Sequence, residues 1–278
     1  MKKMIAAFDG LNYSESTQQY AIDMARESNA HLVGVFLDDT TYHSYKMWQV
    51  AGNGGVNEEK WGMLEGHDKE IRLEATARFD QACRQAGLEF SIHHDRNVAL
   101  HELLHESIYA DLVIISKKES FSNHEGKMPS FFLRDLLSDI QCPVLLVPDN
   151  YHRIEKMILL YDGSPASVFA VRSFSYLFPE FAALPAEVIS VNKLYDSQHV
   201  PDNRLMKEFM KWHYRHAAYK VLRGDAEEQI LTELKHQPLH TILVLGAYQR
   251  SRVSRWFNAS MADVLMENTE LPLFVAHK

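Results

Sequence analysis

The spacing His101-Glu102-x-x-His105 could do chemistry. On a helix it sets two imidazoles one turn apart beside a carboxylate, an arrangement that holds zinc and lets the carboxylate act as general base toward a metal-bound water. The surrounding residues point elsewhere. Glu106 follows the second histidine directly, where zinc-peptidase helices usually carry an uncharged residue, and no third ligand stands at a recognisable spacing. Leu100, Leu103, Leu104 and Ile108 give the segment an apolar side that a helix packed on a sheet requires. His93, His94 and Asp95 end the preceding strand-like run, so His93, His101 and His105 are the remaining metal candidates. With fifteen histidines in the chain, such a grouping arises readily by chance. No native metal is assigned.

Other reactive types are as readily explained by structure. Ser14, Ser16, Ser164 and Ser167 follow short apolar runs, where hydroxyls cap helices, and no Gly-x-Ser-x-Gly elbow accompanies them. Cys83 and Cys142 form neither a disulfide framework nor a ligand pair and read as small buried hydrophobes. Phe131, Phe132, Trp212 and Trp256 read as core or interface residues. Residues 209–220 mix aromatic and basic side chains and read as a helix end entering a strand. A net charge of −8 argues against a nucleic-acid surface. No catalytic residue is assigned.

Elements that position these residues come in two similar sets. KKMIAAFDGLNYSES, from Lys2, lies on EKMILLYDGSPAS, from Glu155; ADLVIIS on HTILVLG; and CPVLLVP on LPLFVAH. Each set is a series of short apolar runs separated by helix-period segments, the pattern of a parallel sheet with helical crossovers. Strands are expected at 3–9, 31–37, 88–94, 111–116 and 143–147, then at 156–162, 186–192, 217–222, 241–245 and 272–276. The predicted division is 1–150 and 151–278. Residues 41–60 form an insertion rich in glycine, read as a packed surface loop or a lid, which leads into a helix over 58–86. The short apolar run after Lys2 and Lys3 is too brief for a secretory core and no run reaches a membrane span, so the expected location is the cytoplasm.

This order of elements, with Asp-Gly closing the first strand and CPVLLVP as the last, resembles the universal stress protein family, in its tandem two-domain form. The resemblance implies two five-stranded doubly wound α/β units packed as a pseudo-dimer, with a further homodimer left open. It also implies a nucleotide site after the fourth strand, carrying Gly-x-x-Gly, nine residues, then Gly-Ser or Gly-Thr, with the first-strand Asp contacting the nucleoside. At the signature positions the first half has Ser116, Glu119, Pro129 and Ser130, and the second has Gly246, Gln249, Ala259 and Ser260.

Glycine there admits phosphate to main-chain N–H groups, and the final hydroxyl caps a helix whose N-terminus favours anions. Glu119 sets a carboxylate where phosphate should lie, at a cost of about 1 kcal/mol in water and about 4 at an effective dielectric of 20. Asp9, Val35, Ser116 and Ser130 therefore outline a degenerate first cleft. Asp162, Val191, Gly246, Gln249, Arg250, Arg252, Ala259 and Ser260 outline the candidate anion site, for which the implied ligand is ATP or AMP. Arg250, Arg252 and Arg255 could hold phosphate by side chain where glycines are lost. The expected role is a stress-response protein that binds partners or a small anionic ligand, the alternatives being a nucleotide sensor with slow hydrolysis and a metal-dependent enzyme.

Overall fold

A computed structural model describes residues 2–38, 43–45, 51–52, 55–56, 58–95, 97–122, 128–192, 198–246 and 261–276. In chain order the first half contains β1 (Lys3–Asp9), α1 (Glu15–Ser28), β2 (His31–Leu37), the short antiparallel pair β3 (Ala51–Gly52) and β4 (Gly55–Val56), α2 (Glu58–Gln85), β5 (Phe90–Asp95), α3 (Ala99–Ser107), β6 (Leu112–Ser116), α4 (Phe131–Asp139) and β7 (Val144–Val147). The second half contains β8 (Lys156–Leu160), α5 (Pro165–Leu177), a 3-10 turn (Pro179–Ala183), β9 (Ala186–Asn192), α6 (Asn203–His213), β10 (Ala217–Arg223), α7 (Ala226–Leu234), β11 (Thr241–Gly246), α8 (Met261–Asn268) and β12 (Leu273–Ala276).

The ten longer strands form one sheet in the order β10-β9-β8-β11-β12-β7-β6-β1-β2-β5. Each half has the same internal order with parallel pairing. The halves meet where β12 runs antiparallel to β7, Leu273 opposite Leu146 and Val275 opposite Val144. The expected pseudo-dimer is thus a continuous sheet. Strand ends fall within two residues of those read from the sequence, because a strand buried on both faces is a near-continuous apolar run bounded by polar residues.

Successive side chains alternate between two core layers. Met4, Ala6 and Phe8 join one, packed beneath α1, α2, α5 and α6. Ile5 and Ala7 join the other, beneath α3, α4, α7 and α8. Helix starts follow local chemistry: Ser14 Oγ accepts from Thr17 N at 3.1 Å, and Ser164 Oγ from Ser167 N at 3.2 Å with Pro165 in the first turn.

Two of the aromatic residues expected in the core or at an interface are not in the core. Phe131 is 83% exposed and Trp212 85% exposed. In α4 the buried stripe is Leu133, Leu136 and Leu137, and in α6 it includes Met206 and Met210, so those two rings fall outside it. Trp256 lies outside the described residues. Half of the insertion over 41–60 does so too; of its described part, Tyr45 is buried and takes a hydrogen bond from Trp61 Nε1 at 2.9 Å, while Ser44 bonds to the buried Asp68.

Candidate functional site

In each half the strand order reverses beside the first strand, between β1 and β6 and between β8 and β11, opening a crevice at the carboxyl ends of the strands. Asp9 and Asp162 stand at these two points, each 3% exposed. They build the same turn: Asp9 Oδ1 accepts from Leu11 N at 2.8 Å, and Asp162 Oδ1 from Ser164 N at 2.9 Å. The Asp that closes each first strand therefore orients the chain into α1 or α5, a local Asx turn that accounts for the repeated Asp-Gly.

Beyond β6 the chain turns at once on itself. Ser116 Oγ accepts from Lys118 N at 3.2 Å, and Ser130 caps α4, accepting from Leu133 N at 3.2 Å while donating to the Glu119 carbonyl at 2.5 Å. Inside this loop Glu119 is folded inward and 7% exposed. Its Oε1 accepts from the main-chain N–H of Ser120 at 3.0 Å and, more loosely, of Phe121 at 3.5 Å, and the Asp9 main chain donates to it as well. Phe121 itself holds a left-handed backbone, φ 46°. The carboxylate of the loop thus occupies the loop's own nest of donors. Burial, reinforced by the neighbouring charge of Asp9, pushes the Glu119 carboxyl well above the usual range, so the pair of acids retains a proton near neutrality.

The second cleft differs. Gly246 ends β11, and a Cβ there would lie 2.4 Å from the main-chain carbon of Ala166 and 2.7 Å from Ser167 N. The glycine lets the first turn of α5 rest directly on the sheet, a packing demand that its place in the loop does not reveal. Val191, like Val35 in the first half, is buried in the layer beneath α3, α4, α7 and α8. Gln249, Arg250, Arg252, Arg255, Ala259 and Ser260 lie outside the described residues.

Lys117, which no sequence signal singles out, joins the two halves. It is 4% exposed, and its Nζ donates to the carbonyls of Thr269 and of Leu271, the latter at 3.4 Å, just past the end of α8. Burial pushes its pKa down to about 8. Arg134 of α4 also meets Asp263 of α8 at 3.3 Å. A lone lysine in a polar loop has no periodicity to mark it. Only the arrival of the other half explains its burial.

The histidines do not converge. His93 Nδ1 lies 2.7 Å from Glu106 Oε1, whose other oxygen is 3.1 Å from Lys3 Nζ. The next residue points to the opposite face, where His94 stacks on Phe36. His101 and His105 are exposed on α3, whereas α3 buries Ala99, Leu103 and Ser107. Among the described residues no three His, Cys, Asp or Glu side chains gather as a metal-ligand set. Among those residues, too, no helix is long and apolar enough to cross a membrane.

No family model matches the sequence. The universal stress protein Slr1230 of Synechocystis is 23% identical over 288 residues, covering 98% of this chain and 99% of that one. A universal stress protein from Archaeoglobus fulgidus superposes with a TM-score of 0.69 at 14% identity, covering 99% of this chain and 98% of its own. A Pseudomonas aeruginosa protein of unknown function superposes with a TM-score of 0.57 at 13% identity, covering 100% and 92%.

Proposed function

We propose that this chain, a tandem member of the universal stress protein family, is a cytoplasmic stress-response protein that acts by binding a partner or a small anionic ligand, and that only its second cleft takes the ligand. Its two units are residues 1–150 and 151–278. The observation that carries this reading is Glu119. A carboxyl group already fills the donor nest of the first loop, beside the buried Asp9, and an incoming phosphate would have to displace it and then face Asp9. The second half has Gln249 at the corresponding position and adds Arg250, Arg252 and Arg255 in the same stretch. Side-chain guanidinium groups can hold phosphate by paired N–H donors, and exposed pairs of this kind are screened over roughly 8–10 Å near physiological salt.

Calorimetry with ATP and AMP on the intact chain tests it. One ligand should bind per chain, at least tenfold more weakly in Arg250→Ala/Arg252→Ala, equally well in Glu119→Gln, and with steep salt dependence. Two ligands per chain, or tight binding indifferent to the two arginines, would overturn the assignment.

A further inference from the structure

At the free edge of the second half α6 leans over β10 and leaves a groove of about 490 Å³, which at one end borders the second cleft, since Arg223 pairs with Asn192 and Val200 precedes the Pro201 that lies against Gly163. Val200 and Val221 form its apolar part, and Asn203, Lys207, Tyr219 and Arg223 line it with His199 at one side. Residues 203–223 carry six cationic side chains (Arg204, Lys207, Lys211, Arg215, Lys220 and Arg223) against one carboxylate, Glu208, in a chain whose net charge is −8. Such a local reversal of sign attracts anions to one place on an otherwise repelling surface.

Two of these cations, Lys207 and Arg223, line the groove, while Lys220 is paired with Glu233 at 2.7 Å. Tyr219, Val221 and Arg223 are alternate residues of β10 and share one face, the face α6 covers. Lys207 Nζ is braced 5.5 Å over the Tyr219 ring, an interaction that holds an ammonium in place without neutralising it. Among the described residues neither Lys207 nor Arg223 pairs with a carboxylate, and no acidic residue lines the groove. The corresponding edge of the first half, along β5, is lined differently. There Arg84 is bound by both oxygens of Asp80, at 2.7 and 3.0 Å, and Glu89 adds a further negative charge.

We infer that the α6–β10 groove is a second binding site, for a small phosphate monoester whose dianion lies between Lys207 and Arg223 and whose hydroxyl-bearing body reaches Asn203 and Tyr219. Two cations suit a dianion better than a single carboxylate, and the planar Arg223 guanidinium can donate two parallel bonds to phosphate oxygens. Asp162, Val191 and Gly246 do not line the groove. β10 is two strands, roughly 10 Å, outboard of β8, the strand that leads to Asp162, so the groove and the second cleft are neighbours told apart by their own residues.

Titration calorimetry at low salt with ribose 5-phosphate, ribose and inorganic phosphate decides the matter. Ribose 5-phosphate should bind once per chain, ribose should not bind, and inorganic phosphate should bind at least tenfold more weakly. Lys207→Gln/Arg223→Gln should lower the affinity at least tenfold with an unchanged circular dichroism spectrum, since both side chains are exposed, while Asp162→Asn should leave it within twofold. Absence of saturable binding, indifference to the double substitution, loss in Asp162→Asn, or equal affinity for inorganic phosphate would each overturn the site.

Discussion

Glu119 and Lys117 are two residues apart in sequence, both buried, and shifted in ways that oppose the usual charge of each. The consequence is a pH dependence of stability with a definite sign. Glu119 titrates near 4.5 when unfolded and is pushed up to about 8 in the fold. The native chain then holds a proton the unfolded chain has lost, so this contribution to stability is complete below 4.5 and declines as pH rises toward 8. Lys117 is pushed down from 10.5 to about 8, so between those values the unfolded chain holds the extra proton and stability recovers as pH rises. Glu119→Gln removes the first contribution. Thermal melts of wild type and variant should differ little at pH 5 and by several degrees in favour of the variant at pH 8.5, on the order of 1–3 kcal/mol. An equal difference at both pH values would mean that the buried acid pair does not hold a proton.

Among the elements, closeness of approach decides which glycines matter. α5 touches β11 through Gly246, where an added Cβ meets main-chain atoms that cannot rotate away. α2 lies on β2 through Gly34, where a Cβ would come within 2.4 Å of the fully buried Phe79 ring. Gly62, inside α2, faces open space, and a Cβ added there would meet nothing within 4 Å. Gly246→Ala should therefore lose about 1–3 kcal/mol to overpacking. Gly62→Ala should gain about 0.5–1 kcal/mol from reduced freedom of the unfolded chain and better helix propensity. Urea denaturation of the two variants measures both values. A neutral Gly246→Ala would show that α5 can lift off the sheet without cost.

At the scale of the whole molecule the antiparallel pairing of β7 and β12 turns two similar halves into one ten-stranded sheet. Val144, Leu145, Leu146, Leu273, Phe274 and Val275 are all buried at the seam, and Lys117 and Arg134 cross it. Neither half can unfold without exposing the apolar edge of the other, so opening should be shared. Amide hydrogen exchange should report one opening free energy for the centres of β1 and β8, and Val275→Asp should lower both together by placing an unpaired charge in the seam. Protection lost in the second half alone would mean that the halves are separate cooperative units.

Much of this architecture was legible in the sequence because its signals are local. Parallel strands buried on both faces read as apolar runs, serine caps stand just before their helices, and a tandem repeat shows itself by self-similarity. Those signals yield the two sets of five strands, the crossover role of the segment holding His101 and His105, and the positions of Asp9 and Asp162 at strand ends. Tertiary structure alone decided what those positions do. Sequence marks Glu119 as a carboxylate in a phosphate loop, but that it turns inward to fill the loop's own donors depends on where the Asp9 main chain arrives. Gly246 looks like a loop glycine, and its packing role exists only once α5 lies across β11. The groove at Lys207 and Arg223 lies between consecutive elements, a helix and the strand after it, but its shape is set by how α6 lies across β10. The physical reason is the same in each case: hydrophobic period and capping act between residues near in sequence, whereas burial, donor nests and close backbone contact act between residues brought together by the fold.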